Sequence, residues 1–328
     1  MTRAALLVAA LMLAGCESMQ YYAQAIGGQL SIMRAARPVE TWLADPGTPQ
    51  DLRGRLELAR GIREFASREL ALPRNGSYDS YAELGRPYVA WNVYAAPAFS
   101  TEARPECFPL VGCVSYRGFF AEADARRHAE KLHLAGNDVY VGGVPAYSTL
   151  GWFDDPLLST FIRFPDAQLA RLLFHELAHQ VAYARDDTAF NESFAVAVEE
   201  EGVRRWLRAQ GREKEIATFS AAQSRRRELA ARVEAARKRL EAVYKSDAPE
   251  DEKRRVKARE FEALRADFGP VVPAEPTNAF LVSIAVYTEL VPAFERLLAE
   301  NGGDLAAFYK RVKELAREDK KARAQALR

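Results

Sequence analysis

Residues 166–184 read DAQLARLLFHELAHQVAYA, and this stretch predicts a long amphipathic helix. It contains neither Pro nor Gly, and apolar side chains recur at helical spacing, at Leu169, Leu172, Leu173, Leu177 and Val181. On such a helix His175 and His179 project from one face and can bind the same metal ion. Glu176 would face the same opening, where it could take a proton from a water molecule that the metal activates. The alternative is a buried helix with two core histidines.

A third metal ligand is expected on the next helix. Residues 188–210 repeat the helical pattern after a short polar turn at 185–187, so the two helices should run antiparallel. That arrangement would bring Glu192, thirteen residues after His179, against the two histidines. Two imidazoles and one carboxylate suit Zn2+ and leave one coordination position open for water. The sequence therefore predicts one zinc ion per chain, although Glu192 taken alone would more often be a surface carboxylate.

These two motifs, HELAHQ at 175–180 and NESFA at 191–195, resemble the gluzincin class of zinc metallopeptidases. More closely, the whole mature chain resembles a bacterial family of predicted zinc aminopeptidases, many of them predicted lipoproteins. The resemblance rests on the two motifs together with AYSTLG at 146–151, FDDP at 153–156 and LVPAF at 290–294. It implies a zincin-like core, a peptide substrate and hydrolysis of peptide bonds. The spacing of the residues alone indicates only a metal site with a base.

The chain departs from the gluzincin pattern beside the metal ligands. Thermolysin-like enzymes carry an aspartate four residues after the ligand glutamate, where it supports a zinc-bound histidine. This chain has Val196 at that position. Asp186, Asp187 and Glu199 are therefore candidates for the groups that support the histidines.

The group that would stabilise the oxyanion of the reaction also differs. No histidine follows His179, so the downstream histidine of thermolysin-like enzymes has no counterpart. In the one-zinc aminopeptidases that the chain resembles, a tyrosine has this role. Tyr287 or Tyr183 could serve here, and the alternative for either is a core aromatic side chain. The Gly-Ala-Met-Glu-Asn motif that holds the substrate amine in those enzymes is absent, so the choice between exopeptidase and endopeptidase stays open.

A strand predicted at 139–141 leads into Gly142, Gly143 and Val144. It matches the edge strand on which zincins lay extended substrates, where backbone hydrogen bonds would hold the peptide. A plain turn at the two glycines is the alternative. His128 and His133 lie on an ordinary helical pattern at 122–134 and are not expected to bind metal.

The first residues resemble a bacterial lipoprotein signal peptide. The apolar run from Ala4 to Leu13 is too short to span a bilayer, and Leu-Ala-Gly-Cys at 13–16 resembles a lipobox. We therefore expect residues 1–15 to be removed and Cys16 to be lipidated, so that the chain is anchored in the bacterial cell envelope. In known lipoproteins an aspartate directly after the lipidated cysteine favours retention in the inner membrane. This chain has Glu17 there, so we expect an anchor in the outer membrane, on its periplasmic face. A fortuitous cysteine in a plain signal peptide is the alternative.

Cys107 and Cys113 enclose a loop of five residues. In an oxidising compartment a disulfide is the natural interpretation of such a pair. A metal site is less favoured, because this separation is not a zinc-ligand spacing and neither His128 nor His133 is close in sequence. The expected bridge would be structural.

Composition limits the remaining classes of function. The chain has 328 residues, of which 48% are hydrophobic and 28% charged, with a formal net charge of +1. This is globular composition, and the balanced charge gives no support for a nucleic-acid partner. Beyond the N-terminal segment, no apolar run approaches the roughly 18 residues of a membrane-spanning helix, which excludes a polytopic membrane protein.

The pattern of elements predicts an α+β fold that is mainly α-helical, with a single domain over residues 16–328. Residues 20–160 would supply N-terminal helices and a small sheet, 161–210 the zinc-site helices and 278–318 two closing helices. Between them, residues 219–268 carry apolar side chains at 4-3-4-3 spacing on highly charged helices. We expect this segment to form an antiparallel helical hairpin that projects from the body.

The sequence favours a zinc-dependent peptidase, of the aminopeptidase kind that the resemblance implies. One alternative is a non-catalytic envelope lipoprotein with a structural zinc ion, whose helical hairpin binds a partner. Another is a zinc hydrolase of cell-wall peptides that uses the same residues. The intact Glu176 disfavours the non-catalytic alternative, because a structural zinc site has no need of a base.

Overall fold

The computed structural model describes residues 21–108, 112–185, 187–285 and 290–327. Four of the sequence-based expectations fall on residues outside these ranges. They are the signal peptide at 1–15, the lipidation site Cys16, the candidate support residue Asp186 and the candidate catalytic Tyr287.

The fold is α+β and mainly helical, as predicted from the sequence. The described part has a helix α1 over residues 21–35 and eleven further α-helices: α2 Val39–Ala44, α3 Gln50–Glu69, α4 Glu122–Leu134, α5 Asp166–Val181, α6 Thr188–Ala209, α7 Glu213–Tyr244, α8 Glu250–Phe268, α9 Asn278–Ala285, α10 Val291–Glu300, α11 Leu305–Arg317 and α12 Lys320–Ala326. None of the described helices is long and apolar enough to cross a bilayer.

The strands form three small sheets. Their bounds are β1 Arg37–Pro38, β2 Ser80–Ala82, β3 Ala90–Pro97, β4 Glu106–Phe108, β5 Gly112–Val114, β6 Tyr116–Phe119, β7 Asn137–Val144 and β8 Leu157–Leu158. The largest sheet has the order β6-β3-β7 with both pairs antiparallel, so β7 is at an edge. The second has the order β1-β2-β8, and the third is the β4-β5 pair. Cys107 and Cys113 are opposite each other in that pair and are joined by a disulfide bond.

The main hydrophobic core surrounds α5 and α6. Leu173, Phe174 and Leu177 of α5 and Phe190 and Phe194 of α6 are completely buried in it. The apolar spacing that predicts these helices is therefore the spacing of their buried faces. Because the core holds both helices on their apolar sides, their remaining polar faces are directed at one another in a fixed arrangement.

The expected closing helix over 278–300 is two helices, and a further short helix follows the expected end at 318. Leu290 lies in a turn and α10 begins at Val291, with Pro292 in its first turn. Proline lacks a backbone N–H and is tolerated in the first turn of a helix but not in its interior, which explains the separate start of α10. Arg323 of α12 is buried, so this terminal helix is part of the body.

Helices α7 and α8 form the antiparallel hairpin, with Leu229, Val233 and Leu240 packed in one apolar cluster with Phe261 and Leu264. Its arms do not stand free of the body, as a projecting hairpin would. Tyr140 of β7 and Phe280 of α9 belong to the same cluster or pack against it. The Nζ atom of Lys257 lies 2.5 Å from a carboxylate oxygen of Asp138 at the start of β7. The hairpin therefore packs against the body, through α9 and the start of β7, and is a wall of the molecule.

Candidate metal centre

Helix α5 presents His175, Glu176 and His179 at its polar face. The two imidazoles are one helical turn apart, with ring centroids 4.8 Å apart and Nε2 atoms 3.2 Å apart. Both side chains are largely buried, with exposed fractions of 14% and 8%. The two Nε2 atoms therefore face one common point beside the helix.

The turn between α5 and α6 is fixed by Asn191, the first residue of the NESFA motif. Its buried side chain accepts a hydrogen bond from the backbone N–H of Ala184 at 2.7 Å and donates one to the carbonyl oxygen of the same residue at 2.8 Å. Because this pair of bonds holds α6 back against the end of α5, the next residue, Glu192, is directed at the histidines. Its carboxylate oxygens lie 3.3 Å from His175 Nε2 and 3.8 Å from His179 Nε2.

These three residues form a group that could hold a metal ion. One ligand atom from each lies within 4.8 Å of the others. Two ligands held about 2.0–2.1 Å from a tetrahedral ion are roughly 3.3 Å apart. The separations of 3.2 Å between the two Nε2 atoms and 3.3 Å between His175 and Glu192 match that value, and the separation of 3.8 Å between His179 and the other Glu192 oxygen is longer. The donor set, with two imidazoles and one carboxylate, also suits a divalent transition metal. The residues present therefore fit a metal in both spacing and chemistry.

Glu199, two turns beyond Glu192 on α6, orients one of the histidines. Its Oε2 atom lies 2.8 Å from His175 Nδ1, so it accepts the hydrogen bond of that nitrogen and leaves Nε2 directed at the common point. The guanidinium of Arg171 donates to both oxygens of Glu199, at 2.8 and 3.0 Å. Sequence reasoning missed Arg171. The available signal was its position one turn before His175 on the same helix face.

The electric field of the carboxylates at this point favours a cation. Burial lowers the pKa of His175, but its contacts with Glu192 and Glu199 raise it on balance to about 10. Burial and the neighbouring His175 lower the pKa of His179 to about 4, which leaves its imidazole neutral at pH 7. The carboxylates that favour a proton on His175 favour a metal cation in the same place.

The pKa of the Glu176 carboxyl group is raised by its surroundings. Burial raises its pKa, and although His175 lowers it, the charges of Glu192 and Asp155 raise it further, to about 7. A group with a pKa near the working pH can both accept and release a proton efficiently. Glu176 thus has the chemical character of a general base.

A cavity of about 820 Å³ opens on this group. Gly142, Gly143 and Val144 line it, at the end of edge strand β7. The two glycines are within the strand and do not form a turn, and a Cβ atom on Gly143 would overlap the ring of Tyr88. The opposite wall includes side chains of the helical hairpin, among them Gln223 and Arg226. The cavity can therefore take an extended chain along β7, beside the metal group.

Tyrosines also line this cavity. Tyr183 follows the end of α5 and is 50% exposed at the cavity wall. Tyr116 of β6, which sequence reasoning missed, lines the cavity close enough to Glu192 for that charge to contribute to its raised pKa, although burial is the larger cause. Its position in a short strand with no motif gave no signal in the sequence.

The other sequence candidates are elsewhere. Asp187, expected near the histidines, instead accepts a hydrogen bond from the backbone N–H of Phe190 as the N-cap of α6 and pairs with Arg323 at 3.0 Å. His128 lies 3.4 Å from Glu106, and His133 is exposed on α4. Within the described residues, neither of these two histidines joins a group that could hold a metal.

One of three comparisons with known proteins found a match. A family model described as "Putative aminopeptidase" matches residues 20–327, which include every residue of the metal group. A search of curated proteins and a search of solved structures gave no match. The match covers nearly the whole chain and confirms the resemblance to an aminopeptidase family, whereas the gluzincin class stays a prediction. The chain belongs to this aminopeptidase family.

Proposed function

We propose that the protein is a zinc-dependent aminopeptidase. The observation that carries the proposal is the arrangement of His175, His179 and Glu192 as one group that could hold a metal ion, with Glu176 beside them at the cavity. When bound, a zinc ion would act as a Lewis acid on the scissile carbonyl group and lower the pKa of a water molecule.

Glu176 would move the proton of the reaction. Its carboxylate oxygen accepts a proton from the attacking water and later gives that proton to the nitrogen of the leaving amine. Burial raises the pKa of Glu176 above its ordinary value in the metal-free protein, which favours a group that can both take up and release a proton.

The substrate would bind along β7. Backbone groups of Gly142 to Val144 would hydrogen-bond an extended peptide, as an added strand pairs with a sheet edge. The hydroxyl group of Tyr183, at the same cavity, would donate a hydrogen bond to the carbonyl oxygen as negative charge develops there. The zincin-like core and the one-zinc stoichiometry belong to this proposal.

The test compares the Glu176→Gln variant with the unsubstituted protein. We expect the variant to keep its zinc, measured by elemental analysis, and to lose hydrolysis of peptides with a free α-amine. The matched control is Glu201→Gln, on α6, because Glu201 pairs with Arg204 and Arg205 away from the metal group. Full activity of Glu176→Gln would overturn the mechanism. Equal hydrolysis of free and N-acetylated peptides would overturn the aminopeptidase assignment.

We also propose that the protein is anchored to the periplasmic face of the outer membrane through lipidated Cys16. The support is the lipobox at 13–16 and Glu17 after it. Mass analysis of the mature N-terminus should find Cys16 acylated, and the Cys16→Ser variant should lose its membrane association. An unmodified cysteine would contradict the anchor without bearing on the peptidase.

A further inference from the structure

The outer face of helix α1 is apolar. Ile26, Leu30 and Met33 are 60%, 43% and 40% exposed. They are three of the nine large apolar side chains that are exposed in the described part of the chain. At 3.6 residues per turn they fall within about 60° of one another around the helix axis, so they form one stripe. We call these three residues the α1 stripe.

Helix α1 is fixed to the body through its opposite face. The Gln24 side chain donates to the carbonyl oxygen of Gly118 at 3.2 Å and accepts from the N–H of Phe120 at 3.1 Å. A Cβ atom on Gly28 would overlap the ring of Phe120, which shows how closely the helix approaches that ring. Ile32 is in the main core with an exposure of 2%. The exposure of the α1 stripe is therefore a property of a docked helix and not of a frayed end.

Charge and chain length indicate what covers the stripe. No acidic residue occurs between Tyr21 and Val39, whereas Arg34 in the last turn of α1 and Arg37 in β1, directly after it, are exposed. Four residues lie between Cys16 and Tyr21, and the five steps from one to the other, at about 3.5 Å each, span at most ~17 Å. A lipid anchor on Cys16 would thus hold the α1 stripe and the two arginines beside it within a short distance of the bilayer.

We propose that the α1 stripe lies in the interface of a phospholipid bilayer, with Arg34 and Arg37 at the headgroups. This inference rests on the lipid anchor proposed above. A lipid anchor on a flexible segment holds the chain at the bilayer but does not orient it, and an apolar or basic contact on the protein surface does. Tyr21, Gln24 and Ala25 on the inner face of the same helix line the cavity. The bilayer contact therefore fixes how the metal-site cavity faces relative to the membrane.

The test places one fluorescent label on the full lipoprotein in vesicles that contain anionic phospholipid. The chain has three cysteines, of which Cys107 and Cys113 are bonded and Cys16 would be acylated, so Leu30→Cys adds a single free thiol. The matched control is Leu134→Cys, because Leu134 is an apolar residue at the end of α4 that is 78% exposed. An environment-sensitive dye is attached to each variant, and lipids with a quencher on the acyl chain are added.

We expect the dye at position 30 to shift to shorter wavelength in vesicles and to be quenched, and the dye at position 134 to do neither. If the protein floats with the vesicles but the dye at position 30 is quenched no more than the dye at position 134, the bilayer contact is overturned and the lipid anchor is kept. Protein that does not float with vesicles would overturn both. A Leu30→Cys disulfide dimer that forms in detergent, with no quenching in vesicles, would assign the stripe to a second copy of the chain and overturn the proposal.

Discussion

Glu199 Oε2 lies 2.8 Å from His175 Nδ1, and the two residues come from different helices. This bond has the geometry of the carboxylate that commonly supports a metal-binding histidine. The support for the two histidines is unequal, because Nδ1 of His179 is buried and has no hydrogen-bond partner among the described residues. The orientation of the metal group therefore depends strongly on Glu199.

The Glu199→Gln substitution tests this dependence. We expect zinc affinity to fall about 10- to 100-fold, because the substitution removes the charged partner of His175 while the three ligands stay in place. Competition with a zinc chelator measures the affinity. Glu201→Gln on the same helix should leave it unchanged, and an unchanged affinity for Glu199→Gln would show that His175 is held in another way.

Removal of the proposed third ligand should have a larger effect. Glu192→Ala should reduce bound zinc from about one ion per chain to a small fraction, since only the two histidines would be left. Zinc should also raise the unfolding temperature of the unsubstituted protein, because it binds only the folded chain, and should not raise that of the variant. Elemental analysis and thermal unfolding with and without zinc check both. If Glu192→Ala binds as much zinc as the unsubstituted protein, another residue is the third ligand.

The helices that carry the site could be predicted closely from the sequence. Helices α5 and α6 are within three residues of the expected ends, because their buried faces repeat at helical spacing and Asp187 and Asn191 are suited to the turn between them. The position of the two histidines on one face follows from the same pattern, since residues four apart on a helix share a face. Local sequence determines these features.

Contacts between distant segments were much less predictable. Whether Glu199 or Asp187 supports a histidine depends on the rotation of α6 against α5, which no local pattern encodes. The position of the helical hairpin on the body involves contacts between distant residues. One of them is the ion pair of Lys257 with Asp138, which are 119 residues apart in sequence. The apolar seam of the hairpin predicted its two arms but gave no information on which surface they cover.

The hydroxyl group of Tyr183 should contribute to catalysis and little to folding. We expect Tyr183→Phe to lower kcat about 10²-fold, the effect of removing one donor to a developing oxyanion. Zinc content and unfolding temperature should be unchanged, because half of the side chain is exposed. Tyr22→Phe on α1, outside the cavity, is the control for kcat. If Tyr183→Phe is as active as this control, the oxyanion donor is another group, with Tyr287→Phe as the next variant.

Acid stability should depend on Asp166, which links the start of α5 to α3 and to the entry of the hairpin. Its carboxylate lies 2.6 Å from Arg55 and 3.0 Å from Arg212. Partial burial raises the pKa of Asp166, but the hydrogen bonds of these two arginines lower it on balance below its ordinary value. A lowered folded-state pKa stabilises the protein above the unfolded-state value of about 3.9, and this contribution is lost as the pH falls through the folded-state pKa.

Unfolding temperatures measured from pH 6 down to about pH 3 should therefore fall less steeply for Asp166→Asn than for the unsubstituted protein. The variant is expected to be the less stable of the two at pH 6. Parallel curves for the two proteins would show that Asp166 does not contribute to the acid response. Asp51→Asn is the control for an exposed aspartate that pairs with one arginine, Arg163, at the surface.

The buried pair of Asp187 and Arg323 should be a major source of stability for the turn that positions Glu192. Both side chains are about 6–7% exposed, and Asp187 also caps α6. Asp187→Ala would leave the Arg323 charge buried without its partner, and we expect a loss of about 3–5 kcal/mol in the free energy of unfolding. Loss of an exposed cap alone, as in Asp304→Ala on α11, should cost about 1 kcal/mol.

The double variant Asp187→Ala/Arg323→Met separates the contribution of the ion pair from that of the cap. Because it removes the unpaired charge, it should be more stable than Asp187→Ala alone. The coupling energy should be well above the few tenths of a kcal/mol seen for independent sites. Denaturant unfolding of Asp187→Ala, of Arg323→Met and of the double variant measures the coupling energy, and additive losses would show that Asp187 contributes only as a helix cap.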